Sequence, residues 1–171
     1  MIEIKNERAF ENNVKVLKKK AEAEKEMAKM NGTYTEVDER LEEVFGDKDF
    51  MKDVLCCENP DKAYELFCTR NSDLTKEQFV ELIKASFQMY ETLVSKDEEL
   101  SEDELEQIAG GGFFGTAWKV LRSVGCTIAT PFAFAIDTVG TVLSLVSDYG
   151  TIWGYKWTTK VAGGIVSPWK E

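Results

Sequence analysis

Apolar positions recur at helical spacing through the first two thirds of the chain, then close up into a stretch almost free of charge. Residues 3–30 contain no Pro or Gly and are rich in Glu, Lys, Ala and Met, with Phe10, Val14, Leu17 and Ala21 on one face. This predicts a solvated amphipathic helix stopped by Asn31-Gly32. A second helix is expected from about Val37 into Cys57, with Val37, Leu41, Val44, Phe45, Phe50, Val54 and Leu55 as its apolar set. Gly46-Asp47 is a candidate break within it, with a restart at Asp47. Asn59-Pro60 puts a capping residue before a Pro at the first helical position, opening a helix that buries Ala63, Leu66 and Phe67.

Thr75-x-x-Gln78 is a capping box before a long amphipathic helix with Phe79, Leu82, Ile83, Phe87, Tyr90 and Val94 on its core side. Lys96-Asp97-Glu98-Glu99 is a polar break. Ser101-x-x-Glu104 is a second capping box, and Leu100 and Leu105 flank it as a hydrophobic staple. That short helix is expected to end at Ala109, because Gly110-Gly111-Gly112 would continue it only at an entropic cost. The expectation is an all-α fold: a small helical domain followed by an apolar helical tail.

Charge sharpens the division. The chain of 171 residues carries 21 basic and 31 acidic side chains, a net −10. Beyond Gly111 stand Lys119, Arg122, Lys156, Lys160 and Lys170 against Asp137, Asp148 and Glu171, a net +2, which leaves −12 on residues 1–111. All four tryptophans lie beyond Gly111. An acidic first part lacks the basic footprint of a nucleic-acid binder. The aromatic, mildly cationic second part has the character of a segment that meets lipid. Between Ser123 and Ser147 the only charge is Asp137, and Pro131 interrupts any helix there. Phe132 to Trp153 would rise roughly 32 Å as a helix, close to a bilayer hydrocarbon core. Trp118, Lys119 and Arg122 flank one side; Trp153, Tyr155, Lys156, Trp157 and Lys160 flank the other. Asp137, Asp148, Thr130, Thr141 and Ser144 fall near one helical stripe, which suits oligomers whose polar faces line water. Gly150-x-x-x-Gly154 would let two helices approach closely. The alternative for the same segment is an ordinary helical hairpin packed on the acidic helices.

The chemistry of catalysis is thin. The sequence has no histidine, so it lacks the commonest general base and the commonest neutral metal ligand. Cys56, Cys57, Cys68 and Cys126 form no C-x-x-C pair. Neither an enzymatic activity nor a cofactor or metal is expected. Met1-Ile2-Glu3-Ile4-Lys5 lacks the apolar core of a secretory signal, so the expectation is synthesis in the cytosol and export, if any, by another route.

The site that stands out is the glycine run with the residues before it. By itself the run is a linker or a helix C-cap. Counted back from a cut after Gly111, however, Ile108, Leu105, Glu104 and Leu100 are the fourth, seventh, eighth and twelfth residues. This register resembles the double-glycine leader peptides of secreted bacterial peptides. Leu105 and Ile108 share one helix face, which Leu100 extends through the staple. A peptidase could hold that patch in a groove while two residues without Cβ enter a narrow active site. Phe50-Met51-Lys52-Asp53-Val54-Leu55, Glu58-Asn59-Pro60-Asp61-Lys62-Ala63, Asp73-Leu74-Thr75-Lys76-Glu77-Gln78-Phe79 and Leu100-Ser101-Glu102-Asp103-Glu104-Leu105, in that order, resemble a nitrogen-fixation-protein-type leader domain over residues 47–111.

The resemblance implies a natural-product precursor in three parts: a helical extension (1–46), a leader ending at the cut (47–111) and a membrane-active product (112–171). It implies cleavage after Gly111 by a peptidase-containing ABC transporter, with Gly110, Gly111 and Gly112 at the cut and Leu100, Glu104, Leu105 and Ile108 recognised. It also implies a leader-binding modification enzyme as a partner, with Cys126 the one thiol in the product available to it. The precursor would be cytoplasmic, and the product a secreted, bacteriocin-like antimicrobial acting on target membranes. Two other readings stay open: a small membrane protein with an attached cytosolic helical interaction domain, and a soluble helical adaptor that buries its own tail.

Overall fold

The computed structural model describes residues 5–57 and 59–109, together with Gly125. These residues form six α-helices and no strand: α1 (Glu7–Met30), α2 (Glu36–Gly46), α3 (Lys48–Leu55), α4 (Pro60–Cys68), α5 (Lys76–Val94) and α6 (Glu102–Ala109). The all-α expectation holds for them. The apolar tail expected over 112–171 lies outside the described residues, Gly125 apart.

Local chemistry sets each boundary. Helix α1 starts at Glu7, four residues later than expected, because Asn6 is extended and its side chain accepts the Ala9 N–H at 3.1 Å. An N-cap side chain satisfies one of the amides a helix start leaves unpaired, and so fixes the start. The far end closes at Asn31, and Gly32 follows with φ +70°, where the absence of a Cβ removes the steric penalty. Helix α2 opens with a capping box of Thr35 and Asp38; the Thr35 N–H donates to the Asp38 carboxylate at 2.8 Å. The candidate break at Gly46-Asp47 divides the second helical stretch into α2 and α3, as expected. Asp47 closes the first with an extended backbone and caps the second by accepting the Phe50 N–H at 3.1 Å. Asn59 caps α4 with Pro60 behind it, as expected. The reciprocal Thr75–Gln78 bonds, 2.8 and 3.2 Å, open α5.

One hydrophobic cluster joins all six helices. Phe10, Phe45, Leu55, Phe67, Phe79 and Ile108 each supply a buried member from a different helix. Helices α2, α3, α4 and α5 pack in sequence, and α1 lies against α5. Phe67 sits at the centre, its ring centroid 5.4 Å from that of Phe45 and 4.7 Å from that of Phe79, both tilted. Such pairs add about 0.5–1.5 kcal/mol beyond the area they bury. The core therefore draws on both sides of residue 46. Leu66 and Phe50, expected inside, are only half-buried; Phe50 lies beneath the Arg70 guanidinium, 4.7 Å from its ring centroid. The side chains of Phe87 and Tyr90, expected on the core face of α5, lie outside the described residues.

A bidentate ion pair adds a polar fastening. Arg40 of α2 donates Nε and Nη2 to the two carboxylate oxygens of Asp73 at 2.9 and 3.0 Å. Asp73 also receives the Asn71 amide at 3.0 Å. The fork holds the Asp73 carboxyl below the usual carboxylate range.

Candidate functional site

Helix α6 begins where the sequence places it. The Ser101 N–H donates to Glu104 at 3.0 Å, and the Glu104 N–H donates to the Ser101 hydroxyl at 3.3 Å, which completes the capping box. Lys96 reaches the other Glu104 oxygen at 3.4 Å. These contacts, the Ser101 backbone N–H foremost, lower the pKa of Glu104. Its carboxylate is exposed and ionised, at the helix end where the macrodipole favours negative charge.

The apolar partners of Glu104 point the other way. Leu100, Leu105 and Ile108 are 8 %, 8 % and 3 % exposed, and all three belong to the hydrophobic cluster. The fold thus brings together the four residues expected to be recognised, with the carboxylate outward and the three aliphatic chains inward. Full burial of such a side chain contributes about 1.5–3 kcal/mol. The stripe ends at Ile108, one residue before the last described helical residue, Ala109. Gly110, Gly111, Gly112 and Cys126 lie outside the described residues.

The end of α5 and the loop before α6 are held by α1 and the two residues before it. The Lys5 N–H donates to the Val94 carbonyl at 3.3 Å, and the Asn6 amide donates to the Asp97 carbonyl at 2.8 Å. Asn12 donates to the Glu99 carboxylate at 2.7 Å. Asn13, 2 % exposed, accepts the Leu100 N–H at 2.9 Å and donates to the Glu98 carbonyl at 3.4 Å. Two ends of the described chain, 87 residues apart at the Asn13–Leu100 bond, are thereby fastened. The asparagines are functional candidates that sequence reasoning missed. One signal was present: Asn13 falls between Phe10 and Leu17 on the apolar face of α1, where an amide needs a partner.

Other features are less suggestive of chemistry. An open hollow of about 650 Å³ is lined by Lys25, Lys29, Tyr34, Glu39, Glu42, Glu43 and Gly46. Lys25 and Tyr34 both engage Glu42 there. Burial, then the bond to Glu42, raises the Tyr34 pKa. Cys56, Cys57 and Cys68 are half-buried and, among the described residues, form no disulfide. Burial, Cys56 and Asp53 push the Cys57 thiol up, which lowers its thiolate fraction at neutral pH. Among the described residues no group of His, Cys, Asp and Glu could hold a metal ion, and no helix is long and apolar enough to cross a membrane. At the one described tail residue, the Thr35 hydroxyl stands 3.0 Å from the Gly125 carbonyl. Neither known family models, nor curated proteins, nor solved structures match this chain.

Proposed function

We propose that the chain is the precursor of a secreted bacterial peptide. In this reading residues 1–111 are a helical leader, cleaved after Gly111 by the papain-like peptidase domain of an ABC transporter. The nucleophile is the transporter's; the precursor supplies the handle and the glycines. Residues 112–171 are then a membrane-active product, and the −12 charge on the leader keeps the apolar tail in solution until export.

The observation that carries the reading is the form of α6. It is a capped helix of eight residues whose aliphatic face, Leu105 and Ile108 extended by Leu100, runs out immediately before Gly110-Gly111. A groove can grip such a face at i, i+3 spacing, and a glycine pair passes where any side chain would block. Mass spectrometry of culture medium tests it. A released species beginning at Gly112 is expected, and Gly111→Trp should abolish it while leaving the helical domain folded.

One observation favours a second reading, a small membrane protein whose helical domain stays attached. Helix α6 is integrated into the core rather than displayed, as suits the last element of a permanent domain. That reading expects the intact chain in the membrane fraction and no fragment in the medium.

A further inference from the structure

We infer that α1 gates processing: its asparagines clasp the loop before α6 and keep the recognition face turned inward until the clasp opens. The inference rests on the precursor reading. Leu105 and Ile108 cannot occupy the domain's core and a peptidase groove at once, since each is at least nine-tenths covered by its own chain. The helix must leave the core before the cut. The rate of processing then scales with the fraction of molecules in which α6 is undocked.

The clasp lies in the extension that the leader resemblance does not cover, so it gives residues 1–46 a role. Asn13 is the central element. Its amide is buried and bonds on both sides, to the Leu100 N–H and to the Glu98 carbonyl. The Leu100 bond lies directly before the cap of α6, where it positions the first residue of the aliphatic stripe. Asn12 and Asn6 hold the same loop from the exposed side, at Glu99 and Asp97. Loss of the Asn13 side chain leaves the Leu100 N–H unpaired in the docked state only, because an undocked loop meets water. The substitution therefore shifts the equilibrium toward the undocked form.

The experiment is pulse-chase labelling of the full chain in the producing bacterium, timing the appearance of the fragment that begins at Gly112. Asn13→Ala should release it about tenfold faster than the wild type, and Asn12→Ala, which loses an exposed bond, about twofold faster. Hydrogen exchange on the purified full chain supplies the second readout. In Asn13→Ala the amides of α6 should lose protection while those of α4 keep theirs. If α4 loses protection too, the whole domain has loosened and Asn12→Ala decides. Release at the wild-type rate or slower in the deciding variant overturns the gate and leaves the precursor reading standing. No fragment from the wild type overturns both.

Discussion

Removing residues 1–46 should abolish the fold of what remains. Phe10, Leu17, Leu41, Val44 and Phe45 are at most 4 % exposed and lie in the shared cluster. At about 1.5–3 kcal/mol for each side chain withdrawn from water, their burial amounts to roughly 7–15 kcal/mol. A contact covers surface on both partners, so residues 47–109 lose a comparable part of their own burial when the extension is absent. They keep the whole conformational entropy cost of ordering their own backbone. A domain of this size has about 5–15 kcal/mol of net stability, which such a loss consumes. The assay is urea unfolding followed by circular dichroism on two fragments, 5–109 and 47–109. The longer one should show a cooperative transition. The shorter one should show a gradual loss of signal with no baseline at low urea. A sharp transition in the 47–109 fragment, within 1 M of the longer one, would refute the reasoning and make the extension an ornament on an independent domain.

Four further outcomes follow. Phe67→Ala should cost about 3–5 kcal/mol in urea unfolding, because it empties the site between Phe45 and Phe79; a loss under about 1 kcal/mol would contradict the central position of that ring. Arg40 and Arg70 hold Asp73 and Asp47 below the usual carboxylate range. Their contribution is therefore complete above the unfolded carboxylate value of about 3.9 and is lost as pH falls through the lower folded values. Urea midpoints should hold steady down to about pH 5, drop as pH falls below about 4, and drop less in Asp73→Asn. Gly32→Ala meets no atom within 4 Å but must adopt φ +70°, so a loss of about 1–2 kcal/mol from backbone strain alone is expected, read as a lower melting temperature. The 112–171 peptide, added to vesicles with entrapped dye, should cause leakage at micromolar concentration, and retention of the dye would argue against a membrane-active product.

Helix boundaries were legible wherever a short polar side chain stood before an apolar period. Asn59-Pro60, Thr75-x-x-Gln78 and Ser101-x-x-Glu104 all cap helices as expected, since capping is a contact between near neighbours. The start of α1 was misplaced because Asn6 looks like one more polar residue on a solvated face. Only the extended backbone at Asn6 makes it a cap. Thr35 and Asp38 form a box with Asp in the third helical position, outside the Glu or Gln pattern that makes such boxes easy to find. The stripe of Leu100, Leu105 and Ile108 was legible as a face, but what covers it was not. Periodicity states which side of a helix is apolar, and leaves open whether its own domain or another molecule receives it. The clasp was hidden for a similar reason: the partners Asn13 and Leu100 are too far apart in sequence for any local pattern to join them.

Asp47 has a mechanical consequence. One residue ends α2 and begins α3, so the joint contains no slack. An added residue there would have to choose which helix to lengthen, and would rotate every later side chain of α3 by about 100° about its axis, swinging Met51, Val54 and Leu55 out of register with the core. The turn at 31–34 carries no such double duty. Insertions during the evolution of such a chain should therefore accumulate there and be purged at this joint.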